Sequence, residues 1–135
     1  MSQEAAISSI LENCRTVAVV GLSPKPDRDS FRVSRYMQAH GWRIVPVNPN
    51  AVEVLGEKAY ATLSDAAAHA RIDLVNVFRN SDDVPPVVDE AIAIGAQAVW
   101  LQVGISHQAA CAKAHAAGLQ VVQDKCLMVE HARLG

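Results

Sequence analysis

Cysteine is scarce in this chain, and so are aromatic residues and any excess of positive charge. Cys14, Cys111 and Cys126 make an odd number and lie far apart. That argues against a disulfide framework and against a zinc site, and it makes a reducing, cytoplasmic setting the expectation. The five histidines (His40, His69, His107, His115 and His131) are scattered without metal-ligand spacing, so no metal is expected. No stretch approaches the ~20 apolar residues that span a bilayer, so no membrane partner is expected. The segment from Met1 to Leu11 carries Glu4 and lacks a cationic start, unlike a signal peptide. Lys and Arg number 12 against 14 Asp and Glu, for a net charge of −2. A general nucleic-acid binder would need a large cationic surface, so any cationic site here must be local. There is no serine nucleophile elbow and no evident carboxylate pair for acid–base work, so no catalytic residue is nominated.

What is present is the material of a core. Half of the 135 residues are hydrophobic and 19% are charged, which fits one folded domain over 1–135 and not a disordered chain. A domain of this size hides roughly two-thirds of its unfolded surface. Five strand-length apolar runs stand out: Thr16–Val20, Ile44–Val47, Asp73–Phe78, Ala98–Val103 and Leu119–Val122. Continuous apolar runs suit strands covered on both faces, as in a parallel sheet. Pro46 is a misfit in a central strand and points to a sheet edge or a bulge.

Helical patterns fill the gaps. Residues 2–13 form an expected leading helix. Val33, Tyr36, Met37 and His40 share a face before Gly41. Val84, Val87, Val88 and Ala91 repeat that spacing, with Ser81 or Asp82 as cap and Pro85 and Pro86 in the first turn. A short helix near Ser64–His69 follows a turn at Leu55-Gly56. Ser106 is the expected cap of an alanine-rich helix ending at Gly118, and Asp124 that of a last helix running to about Arg133. Alternation of this kind predicts an α/β fold: a single Rossmann-like, doubly wound, mainly parallel five-stranded sheet with helices on both faces. Ligands of such folds bind beyond the carboxyl ends of the strands, where strand order reverses.

The strand ends therefore hold the candidate site. After the first strand, Gly21 permits positive φ and close backbone approach. The loop then runs through Ser23, Lys25, Arg28 and Ser30 to Arg32 and Arg35. From Ser23 to Arg35 four cations face two acids, Asp27 and Asp29, on a chain that is net negative. A helix start with hydroxyls and local positive charge suits a phosphate, as against an ordinary loop with solvated charges. Residues 22–30 contain no glycine, so the loop is not the dinucleotide fingerprint. The second strand ends in Asn48-Pro49-Asn50 with no acid to take ribose hydroxyls. That suits a phosphorylated ribose, as in NADP or coenzyme A, as against a plain Asn-Pro turn. Phe78 is placed to flank a base or a pantetheine arm, and Arg79 to reach a phosphate. Gly104 opens a turn, and His107 reads as a surface histidine. Cys126 starts the last helix beside Lys125, a setting for disulfide exchange with a thiol ligand, as against a plain packed cysteine.

Together, Val17 to Ser23, Gly41 to Pro49, Val99 to Ile105 and Asp124 to Leu127 resemble the small stand-alone CoA-binding domain proteins. They are similar to the N-terminal Rossmann-like domain of the succinyl-CoA synthetase α subunit. The matching stretches spread over about residues 10–133. The resemblance implies coenzyme A, or an acyl-CoA, across the carboxyl edge of the sheet. Gly21, Ser23 and the following loop would meet the phosphates, and Asn48, Pro49 and Asn50 the adenosine end. Phe78 and Arg79 would occupy a short ligand loop, with Gln102 and Gly104 near the pantetheine end. The synthetase's first loop is richer in glycine, and its phosphorylated histidine and its nucleotide-binding subunit have no counterpart here. Binding carries over; ligation does not. The expectation is a CoA-binding module without catalysis of its own. The alternatives are an NADP-binding redox module and a CoA-responsive regulatory protein with thiol chemistry at Cys126. A small nucleotide cofactor is the expected partner, and a protein partner is left open.

Overall fold

The computed structural model describes residues 3–134. Helix α1 (Gln3–Asn13) leads into β1 (Thr16–Val20), followed by α2 (Asp29–Ala39) and β2 (Arg43–Val47). Two-residue strands β3 (Glu53–Val54) and β4 (Glu57–Lys58) form a small hairpin. Then come α3 (Leu63–Ala67), β5 (Leu74–Val77), a 3-10 turn at Ser81–Asp83, α4 (Val84–Ala93), β6 (Ala98–Leu101), α5 (Gln108–Ala116), β7 (Gln120–Val122) and α6 (Leu127–Leu134). Residue 2 of the expected leading helix lies outside the described residues.

The five longer strands make one parallel sheet in the order β2-β1-β5-β6-β7. The chain moves from β1 outward to β2 and then returns to the other side of β1 with β5. The topological switch therefore falls between β1 and β5. Adjacent side chains on each strand point to opposite faces, and both faces are apolar. Val17, Val19, Leu74, Ala98 and Trp100 pack with α1, α2 and α6. Ala18, Val20, Val75, Val77, Val99 and Leu101 pack with α3, α4 and α5. This is the doubly wound α/β sheet that the alternating runs predict.

Pro46 lies in β2, an edge strand in regular register with β1, so no bulge is needed. The outer side of β2 is met by Tyr60, whose amide donates to the Pro46 carbonyl at 3.0 Å and whose carbonyl accepts from Asn48 at 2.8 Å. The opposite edge is strapped differently. The Gln3 carboxamide donates to the Gln123 carbonyl at 3.1 Å and accepts from its amide at 3.0 Å. It thus takes the place of a neighbouring strand and blunts the edge.

Three expected helix caps are corrected. Ser81 does not cap α4; its Oγ accepts from the Ser106 amide, and Asp83 takes the N-cap place without a side-chain bond. Ser106 does not cap α5; His107 does, its Nδ1 accepting from the Ala110 amide at 3.1 Å. Asp124 does not cap α6. Its carboxylate turns to the Gly104 amide at 2.7 Å, and the Leu127 amide that opens α6 is taken by Gln102 Oε1 at 3.1 Å. Among the described residues, no helix is long and apolar enough to cross a membrane.

Candidate functional site

The turn that leaves β1 meets the turn that leaves β5. Gly21 has φ +87, and a Cβ built on it would overlap the Phe78 carbonyl oxygen. Only glycine satisfies both the backbone conformation and this approach. Beyond Gly21 the loop closes on itself. The Ser23 amide donates to Ser30 Oγ at 3.0 Å, and Ser23 Oγ accepts from the Lys25 amide at 3.1 Å. Ser30 is buried, so its hydroxyl shapes the loop from behind. The loop ends at Arg28, the N-cap residue of α2, which gives no side-chain cap. The first-turn amides of α2 thus have no side-chain cap, and the Asp29 carboxylate lies in that same turn at the positive dipole end. Lys25 and Arg28 are exposed there, and neither belongs to an ion pair among the described residues. Arg32 is committed elsewhere, to the Asp29 carboxylate and to the Asp27 carbonyl at 2.8 Å.

Asn48 ties the second loop to the first. Its Nδ2 donates to the Leu22 carbonyl at 2.9 Å, and its Oδ1 accepts from the Asn50 amide at 2.9 Å. Pro49 and Asn50 are exposed at the end of β2. Arg79 follows Phe78 on the same edge and is also exposed.

Three adjoining clefts run along this carboxyl edge. One, of about 230 Å3, has Val20, Val47, Thr62, Arg79, Asp83 and Glu90 in its wall. A second, of about 640 Å3, shares Arg79 and Asp83 with it and adds Phe78, Asn80, Ser81, Gly104 and Ile105. The third, of about 240 Å3, continues past Phe78 and Ile105 to Arg32, Gln102, Val103, Cys126 and Met128. Of the residues nominated from sequence, Arg32, Phe78, Gln102 and Cys126 meet in the third cleft, and Phe78, Arg79 and Gly104 meet in the second. Gly21, Ser23, Lys25, Arg28, Ser30, Asn48, Pro49 and Asn50 line none of the three, though they belong to the loops after β1 and β2 at the same edge. The Gly104 amide is used by Asp124. Val103, Ile105 and Met128 were not nominated. Ile105 and Val103 flank Gly104 in the fourth βα loop, and Met128 is two residues beyond Cys126, so their apolar character at strand ends was the available signal.

The thiols differ. Cys14 is buried and its pKa is pushed up to about 11, by burial first and by Asp73 second. Cys111 is buried and shifted in the same direction, again by burial. Cys126 is part-exposed in the cleft wall. A further groove, of about 490 Å3, lies at the β7 edge between α1 and α5, with Gln3, Cys111, His115 and Gln123 in its wall. No lysine or arginine lines it.

The residues present are compatible with a phosphate-bearing nucleotide cofactor: a helix start without a side-chain cap, exposed cations beside it, and clefts along the sheet edge, with the Gly21 turn packed against the Phe78 backbone. Uncharacterized protein YneT of Bacillus subtilis (strain 168) is 41% identical over 129 residues, covering 96% of this chain and 94% of that protein. A solved structure of a hypothetical protein from Pyrococcus horikoshii OT3 is 39% identical with a TM-score of 0.92, covering 100% of this chain and 94% of that one. The dinucleotide forming Acetyl-coenzyme A synthetase 1 of Ca. Korarchaeum cryptofilum shares the fold at a TM-score of 0.74 and 24% identity, over 86% of this chain and 27% of its own. The family described as CoA binding domain matches residues 15–132, and the chain belongs to that family.

Proposed function

We propose that this chain binds coenzyme A or an acyl-CoA across the carboxyl edge of its sheet and acts as a binding module without turnover of its own. The observation that carries this reading is the Gly21–Phe78 approach at the β1/β5 switch, beside an α2 start that no side chain caps. In doubly wound sheets that is where nucleotide phosphates lie. The Ser23 hydroxyl and the α2 amides would take the diphosphate beside the Gly21 turn, whose own amide is held by the Val47 carbonyl. Lys25, Arg28 and Arg79 supply countercharge, with Ser30 and Arg32 holding the loop in shape. Asn48, Pro49 and Asn50 lie at the β2 end for the adenosine, where no acid repels a phosphorylated ribose. Phe78, Gln102, Gly104 and Cys126 border the clefts that would take the pantetheine arm. Coenzyme A, when bound, supplies the thiol chemistry; the chain's part is to hold and orient it.

Calorimetric titration tests this with coenzyme A, its 3′-dephospho form and NADPH. The reading predicts saturable binding of coenzyme A, weaker binding of the dephospho form, and weaker binding still of NADPH. Tighter binding of NADPH would favour a redox module instead.

A further inference from the structure

Gln102 follows β6 and is 5% exposed. Its Oε1 accepts from the Leu127 amide, which fixes the orientation of the carboxamide. The Nε2 group is thereby the other arm of the carboxamide, and it has no hydrogen-bond partner among the described residues. The side chain forms part of the wall of the 240 Å3 cleft. Beside it stand Phe78, Val103, Ile105 and Met128, all apolar. Asp29 and Arg32 are tied to each other in the same wall, so Gln102 is the uncharged donor among its apolar residues. Such a donor suits a neutral acceptor carried on an apolar group, and a carbonyl oxygen next to an alkyl chain meets that description.

The charges at the mouth narrow the choice. Arg32 is already paired with Asp29 and bonded to the Asp27 carbonyl. The Asp29 carboxylate stands on the same wall. An acyl group ending in a carboxylate would find no uncommitted cation there and one like charge. The cleft is also below the ~300 Å3 at which whole-ligand pockets begin, so it suits the end of a ligand.

We propose that this cleft is an acyl subsite: Gln102 Nε2 donates to the thioester carbonyl of a short, uncharged acyl-CoA, and the alkyl group packs against Phe78, Ile105 and Met128. The inference rests on the CoA reading above and adds the class of acyl group. Cys126 borders the same cleft and, unlike the buried Cys14 and Cys111, is open to alkylation. Its labelling rate reports occupancy.

The test is calorimetry with acetyl-CoA, coenzyme A and succinyl-CoA, joined to iodoacetamide labelling of Cys126 read by intact mass. The wild-type chain should bind acetyl-CoA about three- to tenfold more tightly than coenzyme A, the worth of one neutral hydrogen bond. Succinyl-CoA should bind more weakly than acetyl-CoA, and acetyl-CoA should protect Cys126 best. Gln102→Glu keeps an acceptor for the Leu127 amide and removes the donor, so it should abolish the preference for acetyl-CoA. If that variant fails to fold, the wild-type preference and the protection pattern decide alone. Equal binding of acetyl-CoA and coenzyme A, or acetyl-CoA binding that leaves Cys126 unprotected, would overturn the acyl subsite and leave the CoA reading standing. Failure of all three ligands to bind would instead remove the CoA reading itself.

Discussion

The Asp124 carboxylate accepts a hydrogen bond from the Gly104 amide at 2.7 Å, and Asp124 itself sits in the left-handed region with φ +58. One residue thus joins the loops after β6 and β7 and absorbs backbone strain. Asp124→Ala should lose the bond and place alanine at an unfavourable φ, costing about 2 kcal/mol in chemical denaturation. Asp124→Asn keeps an acceptor and tolerates this φ, so its cost should stay below about 1 kcal/mol.

Gly21→Ala combines positive φ with overlap on the Phe78 carbonyl oxygen. The turn must shift, and with it the shelf between the first and third parallel strands. A loss of about 3 kcal/mol or more in thermal unfolding is expected, together with loss of coenzyme A binding in whatever protein remains folded. Full affinity in a stable Gly21→Ala variant would remove this turn from the site.

Arg79 behaves in the opposite way. It is exposed and makes no ion pair among the described residues, so Arg79→Ala should leave stability within about 0.5 kcal/mol of the parent. Under the proposed function its charge acts on the ligand. The same substitution should weaken coenzyme A about tenfold by calorimetry, and high salt should shrink that difference.

Acid should loosen the α2–α6 contact. His131 on α6 meets Tyr36 on α2, whose hydroxyl lies 3.0 Å from His131 Nδ1, and the His40 ring stands 5.1 Å away. Burial first, then His40 and Arg15, hold the His131 pKa below its ordinary 6.5. The folded state thus prefers the neutral ring. Its contribution is present above about pH 6.5 and is lost as pH falls from there through the lower folded value. Denaturation at about pH 7.5 and about pH 5.5 should show the loss, and His131→Gln should flatten the profile over that window.

Sequence alone reached the sheet because its information is local. β-branched runs separated by helical periodicity need no knowledge of distant contacts, and Pro46 marked an edge because proline cannot serve a central strand. The same locality explains the misses. Ser106 and Asp124 have the chemistry of caps, yet their places are taken by His107 and by Gln102, and Gln102 reaches α6 from another strand. The β3–β4 hairpin was read only as a turn, since Leu55 takes φ 55 where a small polar residue is usual. Its carbonyl is held by Gln38 at 3.0 Å and its side chain packs against the core cluster that includes Val33 and Met37, neither of which a local pattern reveals. At the site, glycine, cations and the missing acid were legible from strand-end logic. The apolar lining of the Cys126 cleft was not, because Val103, Ile105 and Met128 meet only once β6, β7 and α6 are assembled.

A crystal structure of the chain grown with coenzyme A tests the central claim most directly. The diphosphate should lie between the Gly21 turn and the first turn of α2, with the pantetheine arm passing Phe78 toward Gln102. Coenzyme A seated instead in the groove between α1 and α5, with the Gly21 shelf empty, would contradict it.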